Sequence, residues 1–338
     1  MTFKDTLLWP LTLPYGAVSR ARARAYQTGM WKQRHLDGIV ISVGNLTTGG
    51  TGKTPMVLWI AERLHSEGKR VGILTRGYRG EPTSKGSEAG STSDEVRLLR
   101  TRLGNAVEFG VGADRFAHGQ ELLRRGVNWF VLDDGFQHQQ LARDVDIVMI
   151  DATNPFGGGH LLPAGRLREP KTALSRADVV VIIRSNHSPA VEAAIRRETQ
   201  APIFYAAAEL KSVFAPFHPD LTEHDAREKK LFAFCGIGNP TAFIADLRDW
   251  GFQIVGHKFF PDHHRYSSGD VRGIEAAARA AGAGGVICTE KDSFNCFVTW
   301  SSLDLWVCSI SLRIEREEDF WRTIMRLVES RKPGAARQ

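Results

Sequence analysis

An apolar run, Gly38–Asn45 (GIVISVGN), leads into a glycine-rich turn that ends Gly52-Lys53-Thr54-Pro55. The residues that follow, TPMVLWIAERLHSEGK, place Val57, Leu58, Ile60, Ala61 and Leu64 at helical spacing, and Gly68 stands where a helix C-terminus commonly has glycine. A second β-branched run, Arg70–Tyr78, comes next. Strand, turn, helix and strand in this order fold as a βαβ unit, which commits the chain to a parallel sheet flanked by helices.

The turn carries its own chemistry. Gly49, Gly50 and Gly52 let the backbone fold back so that amide N–H groups point inward at an anion. The following helix adds the positive end of its dipole. Lys53 has the reach for the β- and γ-phosphates of a nucleotide, and the Thr54 hydroxyl suits Mg²⁺. Pro55 is tolerated because the first helical turn has no acceptor for its missing N–H. Thr48, Gly49, Gly50, Thr51, Gly52, Lys53 and Thr54 are therefore the expected nucleotide-binding residues. The usual phosphate-loop pattern has a glycine five residues before Gly52, where this chain has Thr47.

Further buried strands are expected at Trp129–Gln137, Val145–Ala152 and Val179–Ser185. The first ends in Asp133 and Asp134, acids at the C-terminal end of a strand, where α/β folds bind ligands and where a phosphate-loop enzyme keeps its Mg²⁺-side carboxylate. Gln137 and His138 follow in the same turn. The alternation restarts near Lys229, after the polar, proline-containing stretch Phe214–Lys230, and suggests a second, smaller α/β domain. The expected organisation is an N-terminal segment over 1–37, a phosphate-loop domain over 38–225 and a smaller domain over 226–330. Residues 305–314 are a late strand and a candidate linker back to the first domain.

Composition narrows the partners. The net charge is +6, but the chain has no recognition helix with a basic run and no aromatic-basic interleaving, which argues against nucleic acid. Cys235, Cys288, Cys296 and Cys308 form no CxxC pair, as expected of reduced structural thiols. Leu7–Val18 is apolar, contains Pro10 and Pro14, and is followed by Arg20, Arg22, Arg24, Lys32 and Arg34. At twelve residues it is too short to span a bilayer. Two readings fit it equally: a segment lying in the headgroup region of an anionic leaflet, or a helix packed on the protein's own core.

Other polar loops hold Arg76, Tyr78 and Arg79; Asp94 and Glu95; Asp114 and Arg115; His160, Arg166 and Arg168; and Asp262, His263 and His264. The basic ones suit an anionic substrate. Two adjacent histidines point in different directions, so one of them facing a carboxylate is a better general base than the pair is a metal site. From these residues alone a nucleotide-hydrolysing switch and a non-enzymatic membrane-associated protein both stay open.

Nine stretches taken together, GNLTTGGTGKTP, TRGYRG, SDE, GADR, VLDDGFQH, LLPAGRLREP, GIGNP, FPDHH and TEKD, resemble the tetraacyldisaccharide 4′-kinase (lipid A 4′-kinase) family, in order from about residue 38 to 292. The resemblance implies a P-loop NTPase-like fold with a second α/β domain. It implies an ATP- and Mg²⁺-dependent phosphotransferase acting on the 4′-hydroxyl of a tetraacylated glucosamine disaccharide 1-phosphate to give lipid IVA in lipid A biosynthesis. It places such an enzyme, as a monomer, at the cytosolic face of the inner membrane, peripheral or N-terminally anchored. By motif position, Asp94 with His263 matches a base dyad, and Lys53, Asp133 and Asp134 match catalytic positions. Thr54, Glu95, Gln137 and Asp133 match metal-side positions, and Tyr78, Arg115, His138 and Arg168 match positions lining the substrate. With Asp94 in the first domain and His263 in the second, domain closure is a candidate gate that excludes water from ATP. Val96, Arg166 and the STSDE context depart from the family pattern beside these groups.

Overall fold

The computed structural model describes residues 3–77, 93–185, 187–296, 300 and 303–331, with side chains from residue 8 onward. These fall into two compact units. The first takes in the described residues of 3–77, 103–207 and 312–331, and the second those of 93–102 and 208–311.

The chain opens with helix α1 (Phe3–Gln27), then strand β1 (Ile39–Asn45), α2 (Lys53–Ser66) and β2 (Val71–Thr75). Helix α3 (Asp94–Leu103) lies almost wholly in the second unit. The first unit resumes with β3 (Val107–Val111), α4 (Arg115–Arg124), β4 (Trp129–Asp133), β5 (Val145–Asp151), β6 (Val179–Ile183), α5 (Pro189–Arg196) and the start of β7 (Ile203–Phe214). The second unit contains α6 (Glu223–Glu228), β8 (Lys230–Cys235), α7 (Pro240–Asp249), β9 (Gln253–Phe259), α8 (Ser268–Ala280), β10 (Gly285–Thr289) and the short α9 (Glu290–Ser293). Strand β11 (Asp304–Ile314) passes back into the first unit, which α10 (Glu317–Arg331) completes.

In the first unit the strand order is β3-β2-β4-β1-β5-β6-β7, and the described pairings are parallel. Strands β1, β2, β4, β5 and β6 are apolar almost throughout because they are covered on both faces, so no polar alternation survives in them. Ile41 of β1 and Ile60 and Leu64 of α2 are fully buried, each stabilising the fold by about 1.5–3 kcal/mol. In the second unit the order β11-β10-β8-β9 is again parallel. All four cysteines are buried, and none forms a disulfide.

The topology fixes where a ligand can sit. Strand β1 lies between β4 and β5, and the chain leaves it in opposite directions: first towards β2, later towards β5 and β6. Such a switch opens a crevice at the C-terminal ends of the strands. Asn45, Asp133, Asp151 and Thr75 all stand at those ends. Gly44 is required there, since a Cβ would come within 2.5 Å of Phe136 Cβ and 2.6 Å of its backbone nitrogen.

Candidate functional site

The turn after β1 uses left-handed glycines at Gly49 (φ 116°) and Gly52 (φ 74°) before α2 begins at Lys53. Gly52 supplies no capping side chain, so the first amides of α2 keep their capacity for an anion. Two braces hold the turn. Asn45 Nδ2 donates to Thr51 Oγ1 at 2.7 Å. On the other flank, Thr48 N donates to Arg166 O at 2.8 Å and Arg166 Nε returns to Thr48 O at 3.0 Å. Arg166 thus provides a side chain that ties its loop to the phosphate loop.

The acidic pair divides its roles. Asp133 is buried and accepts from Thr75 Oγ1 at 3.0 Å. Asp134, held at φ 49°, turns the other way: Lys53 Nζ lies 3.4 Å from its carboxylate, and Arg168 Nη1 donates to both oxygens at 2.8 and 2.7 Å. Burial pushes the Asp134 carboxyl up, but the charges of Lys53 and Arg168 outweigh it and hold it below the ordinary value. Gln137 is engaged at both ends of its amide, donating to Asn45 O at 2.9 Å and receiving Arg168 at 3.4 Å.

His138 and Arg115 are grouped differently. Burial, then the charges of Arg115 and Arg143, push the His138 imidazole down to about 4, so it is neutral at physiological pH. Its Nε2 has no hydrogen-bond partner among the described residues. Tyr78 lies outside the described residues.

No group of three His, Cys, Asp or Glu side chains suited to a metal occurs among the described residues. That pattern fits Mg²⁺ nonetheless, because Mg²⁺ is usually held by one or two protein oxygens and completes its shell with phosphate oxygens and water. Thr54 at the start of α2 and Asp133 at the end of β4 are oxygen donors of that kind.

The second unit holds the other cluster. Ser93 Oγ takes the N–H of Val96, so Ser93 serves the N-terminus of α3 and leaves the Asp94 carboxylate for other partners. His263 Nδ1 sits 2.9 Å from both oxygens of Asp94, and Asn295 Nδ2 donates to Oδ2 at 3.1 Å. Both Asp94 and His263 belong to the second unit, so the pair forms within one unit rather than by closure between domains. Burial pushes Asp94 up, yet the hydrogen bond from His263 and the charge of Lys291 bring it below its usual range. The same hydrogen bond raises His263, with burial and Lys291 opposing. An ionised carboxylate only accepts, so Nδ1 carries the proton and Nε2 of neutral His263 carries the lone pair. His263 is held at φ 62°, its N–H bonded to Gly236 O at 3.0 Å. His264 points elsewhere, with Nε2 3.2 Å from Asp270, which also completes the capping box of α8 with Ser267.

A model of the family described as tetraacyldisaccharide-1-P 4′-kinase matches residues 4–329. The chain belongs to this family. A relative from Geobacter metallireducens named tetraacyldisaccharide 4′-kinase is 40% identical over 307 residues, covering 85% of this chain and 87% of the relative. One from an Anaeromyxobacter species with the same name is 39% identical over 306 residues, covering 85% and 82%. Among solved structures, LpxK from Aquifex aeolicus in complex with ATP superposes with a TM-score of 0.72 at 29% identity, over 96% of this chain and 100% of that one. The fold is thus P-loop NTPase-like, as the motif order implies.

This tetraacyldisaccharide 4′-kinase family member has partners around its site that the motifs alone leave without a role. Lys291 Nζ lies 3.8 Å from Asp94, 3.6 Å from Glu95, 3.4 Å from Asp262 and 3.5 Å from His263 Nε2. The three carboxylates keep Lys291 charged although burial opposes it. Glu95 therefore lies beside an ammonium group in the second unit. The TEKD stretch works as a clasp. Glu290 pairs with Arg102 of α3 at 3.1 Å, Lys291 reaches the dyad, and Asp292 accepts from Gly236 N and Tyr266 OH, each at 2.7 Å. The signal for it in the sequence is the adjacent Lys291 and Asp292 of TEKD.

Proposed function

We propose that the chain is a tetraacyldisaccharide 4′-kinase, transferring the γ-phosphoryl group of ATP to the 4′-hydroxyl of a tetraacylated glucosamine disaccharide 1-phosphate. The observation that carries the reading is the family match over residues 4–329.

The residues supply what phosphoryl transfer asks for, which is charge neutralisation and alignment. The loop Thr48–Thr54 and the N-terminus of α2 hold the ATP phosphates, with Lys53 moving its ammonium from Asp134 to the β- and γ-phosphates. Asp134 then stays paired with Arg168. Thr54 and Asp133 would hold Mg²⁺, with Gln137 as a further oxygen donor; bound there, the ion would neutralise phosphate charge. His263 Nε2 takes the proton of the 4′-hydroxyl, and Asp94 stabilises the imidazolium that results. The hydroxyl oxygen bonds to the γ-phosphorus as the bond from that phosphorus to the β-bridging oxygen breaks, and ADP departs. Arg115, His138 and Arg168 line the anionic acceptor.

The same reading assigns α1 to the membrane surface. None of the described helices is long and apolar enough to cross a membrane. In α1, Thr12 and Gly16 face inward, while Leu11, Leu13 and Val18 are 56%, 66% and 68% exposed. Arg20 and Arg24 follow on the exposed side. This pattern suits a helix lying in the headgroup region of an anionic leaflet, here the cytosolic face of the inner membrane. Helix α1 also touches the site loops, through Tyr15 OH to Arg168 O at 2.9 Å and Arg22 to Gln137 O at 3.4 Å.

The deciding assay is γ-labelled ATP with the disaccharide 1-phosphate in mixed micelles. Label on the lipid is expected, and label appearing only as free phosphate overturns the kinase reading.

A further inference from the structure

Strand β6 ends at Ile183, directly under the phosphate loop: a Cβ on Gly52 would lie 3.1 Å from Ile183 Cδ1. The next residue, Arg184, is held in the left-handed region at φ 53°, an unusual conformation for a residue with a long side chain. From there Arg184 Nη1 donates to Gly50 O at 3.2 Å and to Asp151 Oδ2 at 2.7 Å. Asp151 ends β5, is buried, and is itself fixed, its other oxygen accepting from Thr153 N at 3.0 Å and Thr153 Oγ1 at 2.6 Å.

The consequence lies in the peptide between Gly50 and Thr51. In a trans peptide the carbonyl and the amide point in opposite directions. A guanidinium that holds Gly50 O on one side turns the Thr51 N–H to the other. Thr51 cannot swing back, because Asn45 grips its hydroxyl at 2.7 Å. The peptide is thus clamped from both ends, with its amide committed to one direction before any nucleotide arrives.

We propose that Arg184, seated on Asp151, is a positioning residue for the nucleotide: it orients the Gly50–Thr51 peptide so that the Thr51 amide serves the phosphate cradle. The proposal rests on the reading that this loop holds ATP. Arg184 acts through the loop's backbone and has no part in proton transfer to His263. Removing it frees the peptide to rotate, so ATP must fix that bond itself and binds more weakly. Turnover at saturating ATP is little altered.

The test uses the full chain carrying R184M, R184K or D151N. It measures ATP affinity by calorimetry, KM for ATP and for the lipid acceptor, kcat, and Tm. For R184M the expected result is a rise in the Kd and KM for ATP of roughly tenfold, the size of one charge-assisted hydrogen bond. KM for the lipid and kcat should stay within about twofold. R184K restores a donor to Gly50 O and should recover most of the affinity; D151N, which leaves the guanidinium unanchored, should fall between. An unchanged ATP affinity in R184M overturns the proposal. So does a loss of Tm and affinity that R184K shares in full, since that pattern belongs to a merely structural arginine. If the wild-type chain binds no ATP at all, the nucleotide reading of the loop fails, and the inference falls with it.

Discussion

His263 Nδ1 lies 2.9 Å from both carboxylate oxygens of Asp94, so one N–H is shared between two acceptors and the imidazole plane is fixed against the N-terminus of α3. The remaining lone pair, on Nε2, faces Lys291 Nζ at 3.5 Å and is the one that takes a proton once the acceptor displaces that contact. Replacing either partner should act on the chemical step. Asp94→Asn and His263→Ala are expected to lower kcat by about 10²–10⁴-fold, the usual worth of a general base. ATP affinity, which belongs to the phosphate loop, should stay close to wild type. Turnover within a few-fold of wild type in both variants, with intact Tm, would remove the dyad from the mechanism.

Lys291 is the cation that lets Asp94, Glu95 and Asp262 stand close together. Lys291→Met leaves three carboxylates without it, and each loses a charge-assisted contact. The expected outcome is a stability loss of about 1.5–3 kcal/mol together with a fall in kcat, because the carboxylates then repel and Asp94 drifts from His263. Lys291→Arg keeps the charge and should recover the stability first. Denaturant midpoints alongside kcat read both effects.

The strands were legible because burial on both faces writes itself as unbroken β-branched runs, as in Val179–Ile183, and the phosphate loop because glycines and GKT follow such a run. The acidic pair was visible for the same reason, as polar residues abruptly ending an apolar strand. What the sequence does not carry is the company these residues keep. Asp94 meets Lys291 across 197 positions and Arg102 meets Glu290 across 188, and no local period records such a meeting. Arg184 is a sharper case. It sits in the ordinary-looking stretch VIIRSN, and its contact with Gly50 O emerges only once β6 is placed beside β5. The division of work between Asp133 and Asp134 was likewise hidden, since it depends on the positive φ of Asp134.

Gly44 tests how tightly the crevice is built. A methyl group there meets Phe136 Cβ at 2.5 Å and its backbone nitrogen at 2.6 Å, and neither is the movable end of a flexible side chain. Gly44→Ala is therefore expected to cost at least about 1–3 kcal/mol. By displacing the turn that carries Asp133 and Asp134 it should also reduce kcat. A variant with wild-type Tm would mean that β1 and the Phe136 turn separate more easily than their packing indicates.

His138 makes the fold sensitive to acid. Its folded value is pushed down to about 4, by burial first and then by Arg115 and Arg143, whereas an unfolded histidine titrates near 6.5. Between those values the unfolded chain binds the proton and the folded one does not. Stability therefore rises with pH across this window and is lost as pH falls from about 6.5 towards 4. His138→Gln, which has no titrating group, should flatten this part of the Tm-against-pH curve. An unchanged slope would place the acid sensitivity in other groups.

Leu11, Leu13 and Val18 expose apolar surface that no described residue covers, on a helix whose inner face is already packed. A leaflet rich in anionic lipid offers both the apolar boundary these side chains fit and a counter-charge for Arg20 and Arg24. Co-sedimentation with anionic vesicles should capture the wild-type chain, and the triple substitution L11S/L13S/V18S should weaken capture by roughly tenfold or more, given the transfer energy of the lost side chains. Substituting Arg20 and Arg24 with Gln should instead make the remaining binding less sensitive to salt, since it is the electrostatic part that salt screens. The two sets separate the apolar from the ionic contribution. Equal capture of the wild type by neutral and anionic vesicles, unaffected by the serine substitutions, would remove α1 from the membrane and return it to a role confined to bracing the Arg168 and Gln137 loops through Tyr15 and Arg22.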